Sequence, residues 1–404
     1  MALRAALALN DLGSLGRNRG LDPTHRIPPG RMLSLSDAVE LFPPLAGTAA
    51  DGGALWHDAR IRRPERLTLS FVRSAAERGA AVANYVEVER LLTTGGEVQG
   101  VQATDRRSGL GLELRARAVA VAAGPWTGTL LADVTGHRRG PLPAQALALN
   151  LVLGRQLAQV AVGVRALSGP ADDPVIGGRR FLFLAPQDNA TLLGTWYAED
   201  DGSDPRALVA RGALALLAEF NAACPGLDLS PGDVARVQWG RLPLKAGLEP
   251  GRPNALADRA RVQDHAADGA RHLFSMEGVK YTTARRVAAG LVDRVVRDLG
   301  LADPGCRTAE TALVSAYDVP AADPRLEARI REAVRDEMAL TLADLVFRRT
   351  GLGEPPGPDR EAVAAAARIA GAELGWDATR QSAEIEDVVR QAREPVAAPW
   401  EAVV

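Results

Sequence analysis

The sequence is poor in several residue types, and each shortage narrows the class of protein. Only two of its 404 residues are cysteine, Cys224 and Cys306, and they form no spacing motif. This excludes a cysteine-built metal site and fits a reducing, cytoplasmic compartment. No apolar run reaches the roughly 18 residues of a membrane-spanning helix, and a net charge of -2 argues against nucleic-acid binding. At about 150 residues per domain, the length predicts roughly two or three domains.

Lysine is scarce as well. The chain carries 48 lysine and arginine residues, yet only Lys245 and Lys280 are lysines. Each lies beside a glycine-containing turn. A lysine retained in so arginine-rich a chain is a candidate site residue, and we favour this interpretation for Lys280 over that of an ordinary surface lysine. For Lys245 both interpretations stay open.

Lys280 lies in the stretch around which the chain is organised, residues 275–285. The apolar residues 272–276 predict a strand. From Val287 to Leu299 apolar residues recur at helical spacing, with Thr282 and Thr283 as N-cap candidates and Gly300 as a stop. A helix N-terminus presents unpaired N–H groups, so this turn suits an anion or the electron-rich edge of a ring.

Upstream, the sequence predicts alternating helix and strands. Pro64 starts a helix over 65–78, strands follow at 81–88, 98–104 and 112–117, and the apolar run 118–123 ends in Gly124-Pro125-Trp126. An unbroken apolar strand of this length is typical of a buried parallel strand, and ligands bind beyond the carboxyl ends of such strands. The first 50 residues look irregular, apart from a helical turn at 34–41 with Ser36 as its N-cap.

This order of elements, together with several short motifs, resembles the FAD-dependent (respiratory) glycerol-3-phosphate dehydrogenases of the D-amino-acid-oxidase-like flavoprotein superfamily. The resemblance covers nearly the whole chain. The matching motifs are Asp58-Ala59-Arg60, Ala76-Glu77-Arg78-Gly79-Ala80, Asn84-Tyr85, Ala122-Ala123-Gly124-Pro125-Trp126, Trp239-Gly240-Arg241-Leu242-Pro243-Leu244, His265, and Glu277-Gly278-Val279-Lys280-Tyr281-Thr282-Thr283.

The resemblance implies an α/β (α+β) fold in three parts. A Rossmann-like FAD-binding domain would comprise 1–136 and 246–305, an antiparallel-sheet substrate domain 137–245, and a helical domain 306–404. The family opens with a strand, a Gly-x-Gly-x-x-Gly turn and a helix that hold the FAD diphosphate. That motif does not occur in this sequence, so we expect an FAD-binding domain that lacks its first βαβ unit.

By the same resemblance, the activity is oxidation of sn-glycerol 3-phosphate to dihydroxyacetone phosphate, with FAD as cofactor and a quinone as electron acceptor. Arg241 and Lys280 would be the catalytic cations, since a guanidinium or ammonium neutralises a phosphate or a developing alkoxide. Asn150 and Arg285 would bind substrate. The FAD-binding residues would be Val88, Ala123, Gly124, Trp126, Gly278 and Thr282, with the backbone of 277–282 facing the pyrimidine edge of the flavin.

Asn150 marks a departure from the family. The family has a lysine-glycine-x-histidine run where this chain has 146–150. An asparagine can hydrogen-bond a substrate hydroxyl, but it cannot act as a general base near pH 7. The alternative interpretation is an asparagine that satisfies a strand end, and both interpretations stay open.

The C-terminal part is predicted to form three helices, over 326–347, 361–374 and 378–393, with a packing and partner role. The resemblance leaves open a peripheral contact with the inner membrane face and a homodimer. Two alternatives to the dehydrogenase also stay open. The chain could be a non-catalytic remnant or one subunit of a split flavoenzyme, or it could be an amine or amino-acid oxidase of the same superfamily.

Overall fold

The computed structural model describes residues 2–135, 145–167, 180–200, 202, 204–245, 255–314, 323–354 and 357–401. Two of the predicted domain boundaries, 136/137 and 245/246, adjoin residues outside these ranges. The strands are β1 Arg31–Leu33, β2 Gly53–Leu55, β3 Val86–Thr94, β4 Glu97–Asp105, β5 Gly111–Arg115, β6 Val119–Val121, β7 Gln145–Leu153, β8 Val162–Arg165, β9 Phe181–Gln187, β10 Ala190–Glu199, β11 Val234–Pro243, β12 Arg261–Asp264 and β13 Leu273–Glu277.

Most of the observed helices lie where the apolar spacing of the sequence predicts them. They are α1 Ala2–Gly13, α2 Leu35–Leu41, α3 Pro64–Ala76, α4 Thr127–Thr135, α5 Pro205–Ala223, α6 Ala284–Asp298, α7 Leu326–Asp336, α8 Leu342–Asp344 with a π-helical turn Leu345–Arg349, α9 Arg360–Leu374 and α10 Ala378–Glu401. None of these helices combines the length and apolar character needed to cross a bilayer.

The small sheet that carries the Lys280 turn has the order β12-β13-β6. β13 pairs with β6 in parallel, with Leu273 opposite Val119 and Ser275 opposite Val121. This confirms the parallel strand predicted for 118–123, although its regular part is shorter. Because parallel strands run in the same direction, the carboxyl ends of β6 and β13 meet at one edge.

The larger sheet is antiparallel throughout, with the order β11-β7-β10-β9-β8, as predicted for the substrate domain. Alternate β7 residues from Leu147 to Leu153 are fully buried, and they share a core with Leu216 and Phe220 of α5. Since successive side chains of a strand point to opposite faces, Ala148 and Asn150 belong to the other face.

The helix predicted over 378–393 continues to Glu401, and three other predicted boundaries are wrong because of a local feature. The N-cap of α2 is Ser34, not Ser36, since Ser34 forms a reciprocal capping box with Asp37. Strand β3 begins at Val86 instead of 81, after Tyr85 takes a positive φ of 57°. The helix predicted over 326–347 ends at Asp336, and a new capping box starts α8.

The C-terminal helices form their own apolar core and make polar contacts with the segment that precedes β3. The core includes Ile330, Leu345 and Val363. Asn84 donates to the backbone oxygen of Met338 at 2.8 Å, and the Tyr85 hydroxyl donates to Asp344 Oδ2 at 2.7 Å. The Asn84-Tyr85 motif therefore binds the C-terminal helices.

Candidate functional site

The turn after β13 leaves several backbone donors open. Glu277 ends the strand, Gly278 is exposed, and a short 3₁₀ turn at Tyr281–Thr283 leads into α6. The N–H groups of residues 279–282 donate to no other described residue. A Cβ placed on Gly278 would meet no atom within 4 Å. The turn therefore offers free donors beside open space, an arrangement that suits an anion or an electron-rich ring edge.

Lys280 stands at the start of this turn. The Thr283 hydroxyl and N–H both donate to its backbone oxygen, at 2.9 and 3.1 Å, which fixes its position. The Lys280 side chain is exposed, and no described carboxylate lies within ion-pair distance of it. Sequence reasoning missed the anchor beside it: the Tyr281 hydroxyl donates to the Pro64 backbone oxygen at 2.7 Å. Lys280 is thus an uncompensated cation on a fixed turn.

The end of β6 lies at the same edge of the sheet. Gly124 and Gly278 each follow the paired residues Val121 and Ser275 by three positions. Gly124 has a positive φ of 55° and free space around it, and Trp126 is 67% exposed. The strand register therefore places Ala123, Gly124 and Gly278 at one edge of the sheet, and Trp126 and Thr282 follow in the turns just beyond it. Val88 lies instead in the β3-β4-β5 sheet, opposite Ala103.

Asn150 and Arg241 do not converge. Strand register places Arg241 opposite Leu147, whose side chain belongs to the core against α5, whereas Asn150 points to the other face. Asn150 Oδ1 accepts a hydrogen bond from the Thr195 hydroxyl at 2.8 Å. A Cβ on Gly194 would come within 1.9 Å of the same oxygen, so Gly194 is required for this close approach.

The two predicted arginines already have partners. Arg241 Nε donates to Asp200, a carboxylate that is only 11% exposed, and its guanidinium lies 5.9 Å from the ring centre of Trp239. Arg285 donates to the Thr308 hydroxyl at 3.1 Å. Asp200 carries no sequence signal as a partner, because it lies 41 residues from Arg241. Among the predicted cations, Lys280 has no such partner in the described part of the chain.

A buried network supports β13 beneath the turn. His265 Nδ1 and Asp268 Oδ2 lie 2.9 Å apart, and His265 Nε2 lies 2.8 Å from the Ser275 hydroxyl. All three residues are buried, so they fasten β12 to β13 and do not present a nucleophile. At the end of β13, burial raises the pKa of Glu277, against the opposing charge of Arg261. The described residues contain no cluster suited to a metal ion.

Comparison with known families identifies the class of protein. The profile described as "FAD dependent oxidoreductase" matches residues 4–294, and the profile "C-terminal domain of alpha-glycerophosphate oxidase" matches 306–381. The first match covers more than half of the chain. The chain therefore belongs to the FAD-dependent oxidoreductase family, and the second match confirms the predicted C-terminal appendage.

Individual relatives show which enzymes within this family the chain is similar to. The chain is 29% identical over 304 residues to the glycerol-3-phosphate dehydrogenase of Synechocystis sp., covering 73% of this chain and 54% of that protein. It is 25% identical over 410 residues to the probable mitochondrial glycerol-3-phosphate dehydrogenase of Caenorhabditis elegans, covering 88% and 55%. The chain spans about half the length of these curated relatives.

One solved structure shares the fold. The glycerol-3-phosphate dehydrogenase of Bacillus halodurans, solved in complex with FAD, superposes with a TM-score of 0.68. It is 23% identical to this chain, and the superposition covers 91% of this chain and 80% of that one. The expected fold class is thereby confirmed, and the C-terminal helices fit it.

FAD is the family's cofactor, and the residues present fit its flavin ring. The open N–H groups of 279–282, the free space at Gly124 and Gly278, and the shared strand edge could receive a planar, electron-rich ring. The buried Thr127 hydroxyl just beyond Gly124 has no partner among the described residues. For the diphosphate, the sequence contains no Gly-x-Gly-x-x-Gly turn. The fit is therefore confined to the ring end.

Proposed function

We propose that this chain contributes the substrate-facing half of an FAD-dependent dehydrogenase that oxidises sn-glycerol 3-phosphate to dihydroxyacetone phosphate. One observation carries the proposal. The uncompensated ammonium of Lys280 and the open N–H groups of 279–282 lie at the carboxyl edge of two parallel strands. The profile matches and the named relatives support the same reaction.

In this proposal Lys280 binds the negative charge of the substrate, on its phosphate and on the alkoxide that forms at C2. The C2 hydroxyl would lose its proton to solvent water, and bound FAD would supply the acceptor for the hydride that leaves C2. The N–H groups of 279–282 would stabilise negative charge at the ring edge without reorganising, because the turn is already fixed by Thr283 and Tyr281. Asn150, on the face of the large sheet opposite Leu147 and Leu149, would hydrogen-bond a substrate hydroxyl.

Arg241 takes a narrower role in the proposal than its motif implies. Asp200 already neutralises its guanidinium, and its strand register turns it toward the α5 side. We assign it to positioning the end of β11, next to Pro243 and Lys245, instead of to substrate contact. Arg285, held by Thr308, would orient the first turn of α6.

The division of the chain into an FAD-binding domain of 1–136 with 246–305, a substrate domain of 137–245 and a helical domain of 306–404 is part of the same proposal.

A fusion protein tests the activity. The Gly-x-Gly-x-x-Gly unit of a related glycerol-3-phosphate dehydrogenase is joined before Met1, and the product is purified and mixed with a redox dye. We expect a bound flavin spectrum and dye reduction with glycerol 3-phosphate, but not with glycerol, amines or amino acids. The 404-residue chain alone should purify without flavin absorption, because it lacks the diphosphate turn. Flavin reduction by amino acids alone would overturn the substrate assignment.

The electron acceptor would be a quinone dissolved in a lipid bilayer, reached from the membrane surface. Three leucines at and just after α1 support this contact, since Leu9, Leu12 and Leu15 are 68%, 61% and 80% exposed. We expect the chain to co-sediment with phospholipid vesicles, and the double variant Leu12→Ser, Leu15→Ser to stay in the supernatant. Leu110→Ser, which changes another exposed leucine, is the matched control. Equal sedimentation of the double variant and the control would contradict the proposed contact.

A further inference from the structure

A second feature beside the Lys280 turn is an open cleft along α6. It has a volume of about 630 Å³ and lies between one face of α6 and the loop that precedes β12. The apolar part of its lining comes from Val262, Val279, Val287 and Gly290. The charged part comes from four cations and one acid, Arg259, Lys280, Arg286, Arg294 and Asp258. This α6 cleft shares Val279 and Lys280 with the reaction site proposed above.

Three cations of the α6 cleft lack the carboxylate partners that several other arginines of the described chain have. Arg180 pairs with Glu219, and Arg331 and Arg335 pair with Glu373. By contrast, no described carboxylate lies within ion-pair distance of Arg259, Lys280 or Arg286.

The one acid of the cleft acts on Arg259 but is itself paired with a lysine outside the cleft, so it offsets little of the positive charge. Asp258 is bonded at 3.1 Å to Lys245, which does not line the cleft. Like charges held around one concave surface raise the local concentration of anions. The α6 cleft therefore carries a net positive field that a bound anion would neutralise.

The shape of the α6 cleft indicates the size of that anion. The residues that line it run from Thr283, the N-cap of α6, to Arg294 along one face, about 16 Å at 1.5 Å per residue. Lys280 and Arg286 lie toward one end, and Arg294 lies at the other, where it also donates to the Val262 backbone oxygen at 2.7 Å. A single phosphate would meet only one end. The apolar middle offers contact area for a ring.

Gly290 keeps that middle open. A Cβ placed on Gly290 would meet no atom within 4 Å, so the position has room for a side chain, and glycine there leaves the floor of the cleft flat. Glycine inside a helix is otherwise less favourable than alanine. The sequence therefore carries a helix-weakening residue at the point where a ligand ring would lie.

From the uncompensated cations, the length of the cleft and its apolar floor, we propose that the α6 cleft binds a nucleotide-sized polyphosphate. The phosphates lie against Arg259, Lys280 and Arg286, and the ring lies over Val287 and Gly290. Guanidinium groups suit this ligand because their planar donors bind phosphate oxygens in pairs. The assignment does not depend on the proposed dehydrogenase activity, since it needs neither flavin nor glycerol phosphate.

Calorimetric titration of the flavin-free 404-residue chain with ADP tests the proposal. We expect saturable binding that weakens as salt is raised. Inorganic pyrophosphate should compete with ADP, and adenosine should bind far more weakly. Arg259→Gln and Arg286→Gln should each weaken ADP binding about tenfold or more, since each removes a charge-assisted contact. Arg368→Gln is the charge-matched control, because Arg368 is exposed on α9 and lines no part of the cleft.

A second pair of variants separates ligand contact from folding. Gly290→Leu should abolish ADP binding by filling the floor, while Gly290→Ala should leave the helix intact and the binding weakened much less. Circular dichroism should show the same helix content in both. The proposal is overturned if ADP does not saturate, if adenosine binds as tightly as ADP, or if Arg286→Gln and Arg368→Gln bind ADP equally. Failure of glycerol 3-phosphate turnover in the fusion protein would leave these binding results unchanged.

Discussion

Glu337→Gln should lower the free energy of unfolding of the C-terminal helices by about 3–5 kcal/mol, the range for breaking a buried ion pair. The Glu337 side chain is fully buried. It accepts hydrogen bonds from Arg66 at 2.8 and 3.1 Å, from Arg73 at 3.1 Å, and from Arg329. Removing its charge leaves buried guanidinium groups without their shared counter-charge. Hydrogen exchange of α7 and α9 amides would measure the loss.

The matched control is Glu386→Gln, which breaks the Arg360–Glu386 pair. Both side chains of that pair are more than 60% exposed. Exposed pairs contribute about 0–1 kcal/mol, so this variant should exchange almost like the wild type. Similar exchange rates for the two variants would show that the arginine cluster around Glu337 does not hold the C-terminal helices in place.

The effect of Glu337 should depend on pH in a defined direction. Burial is the largest influence and opposes ionisation, but the hydrogen bonds and charges of Arg66 and Arg329 outweigh it and hold the pKa of Glu337 below its ordinary 4.5. A lowered folded pKa contributes stability that is complete above the unfolded value and is lost as pH falls through the folded value. The difference between wild type and Glu337→Gln should therefore be full at pH 7 and should shrink as pH falls below the ordinary pKa of 4.5 and through the lower folded value.

This cluster shows which parts of the fold the sequence could predict. Local patterns were sufficient for α6, β13 and the parallel pairing of β6, because apolar spacing and glycine stops act over a few residues. Arg66 and Glu337 are 271 positions apart, and no local pattern links them. Each alone looks like an ordinary charged residue on a helix, and only the packed structure shows that the two are buried together.

The candidate site likewise contains one residue that the sequence could single out correctly and one whose placement only the structure shows. Lys280 could be singled out by its rarity and by the turn that it begins, and the structure leaves it uncompensated within the described residues. Arg241 was singled out by motif alone. Whether a strand residue faces the site depends on register, and a shift of one residue reverses the face. The pairing with Asp200 and the α5-side register of Arg241 could therefore be found only in three dimensions.

Lys280→Ala should reduce glycerol 3-phosphate oxidation by ~10² to 10³, equivalent to about 2.7–4 kcal/mol of transition-state stabilisation, in the flavin-loaded fusion protein. In the proposed mechanism its ammonium is the cation nearest the charge that develops at C2. The described residues supply no carboxylate that already neutralises it. The flavin spectrum should be retained, because the side chain holds substrate and the backbone N–H groups that face the ring remain. Turnover with a redox dye at saturating glycerol 3-phosphate measures the effect.

Two further variants make the assignment specific. Lys245→Ala removes the chain's other lysine, which is exposed and pairs with Asp258 at 3.1 Å, and it should leave the turnover rate within about twofold, as for an exposed ion pair. Lys280→Arg keeps the charge in a wider, planar group and should recover part of the rate. If Lys280→Ala keeps near-normal turnover and substrate affinity with flavin bound, the open N–H groups of 279–282 cannot be acting with Lys280, and the reaction site must lie elsewhere. If Lys280→Ala and Lys280→Arg fail equally, the ammonium geometry decides the rate and not the charge alone.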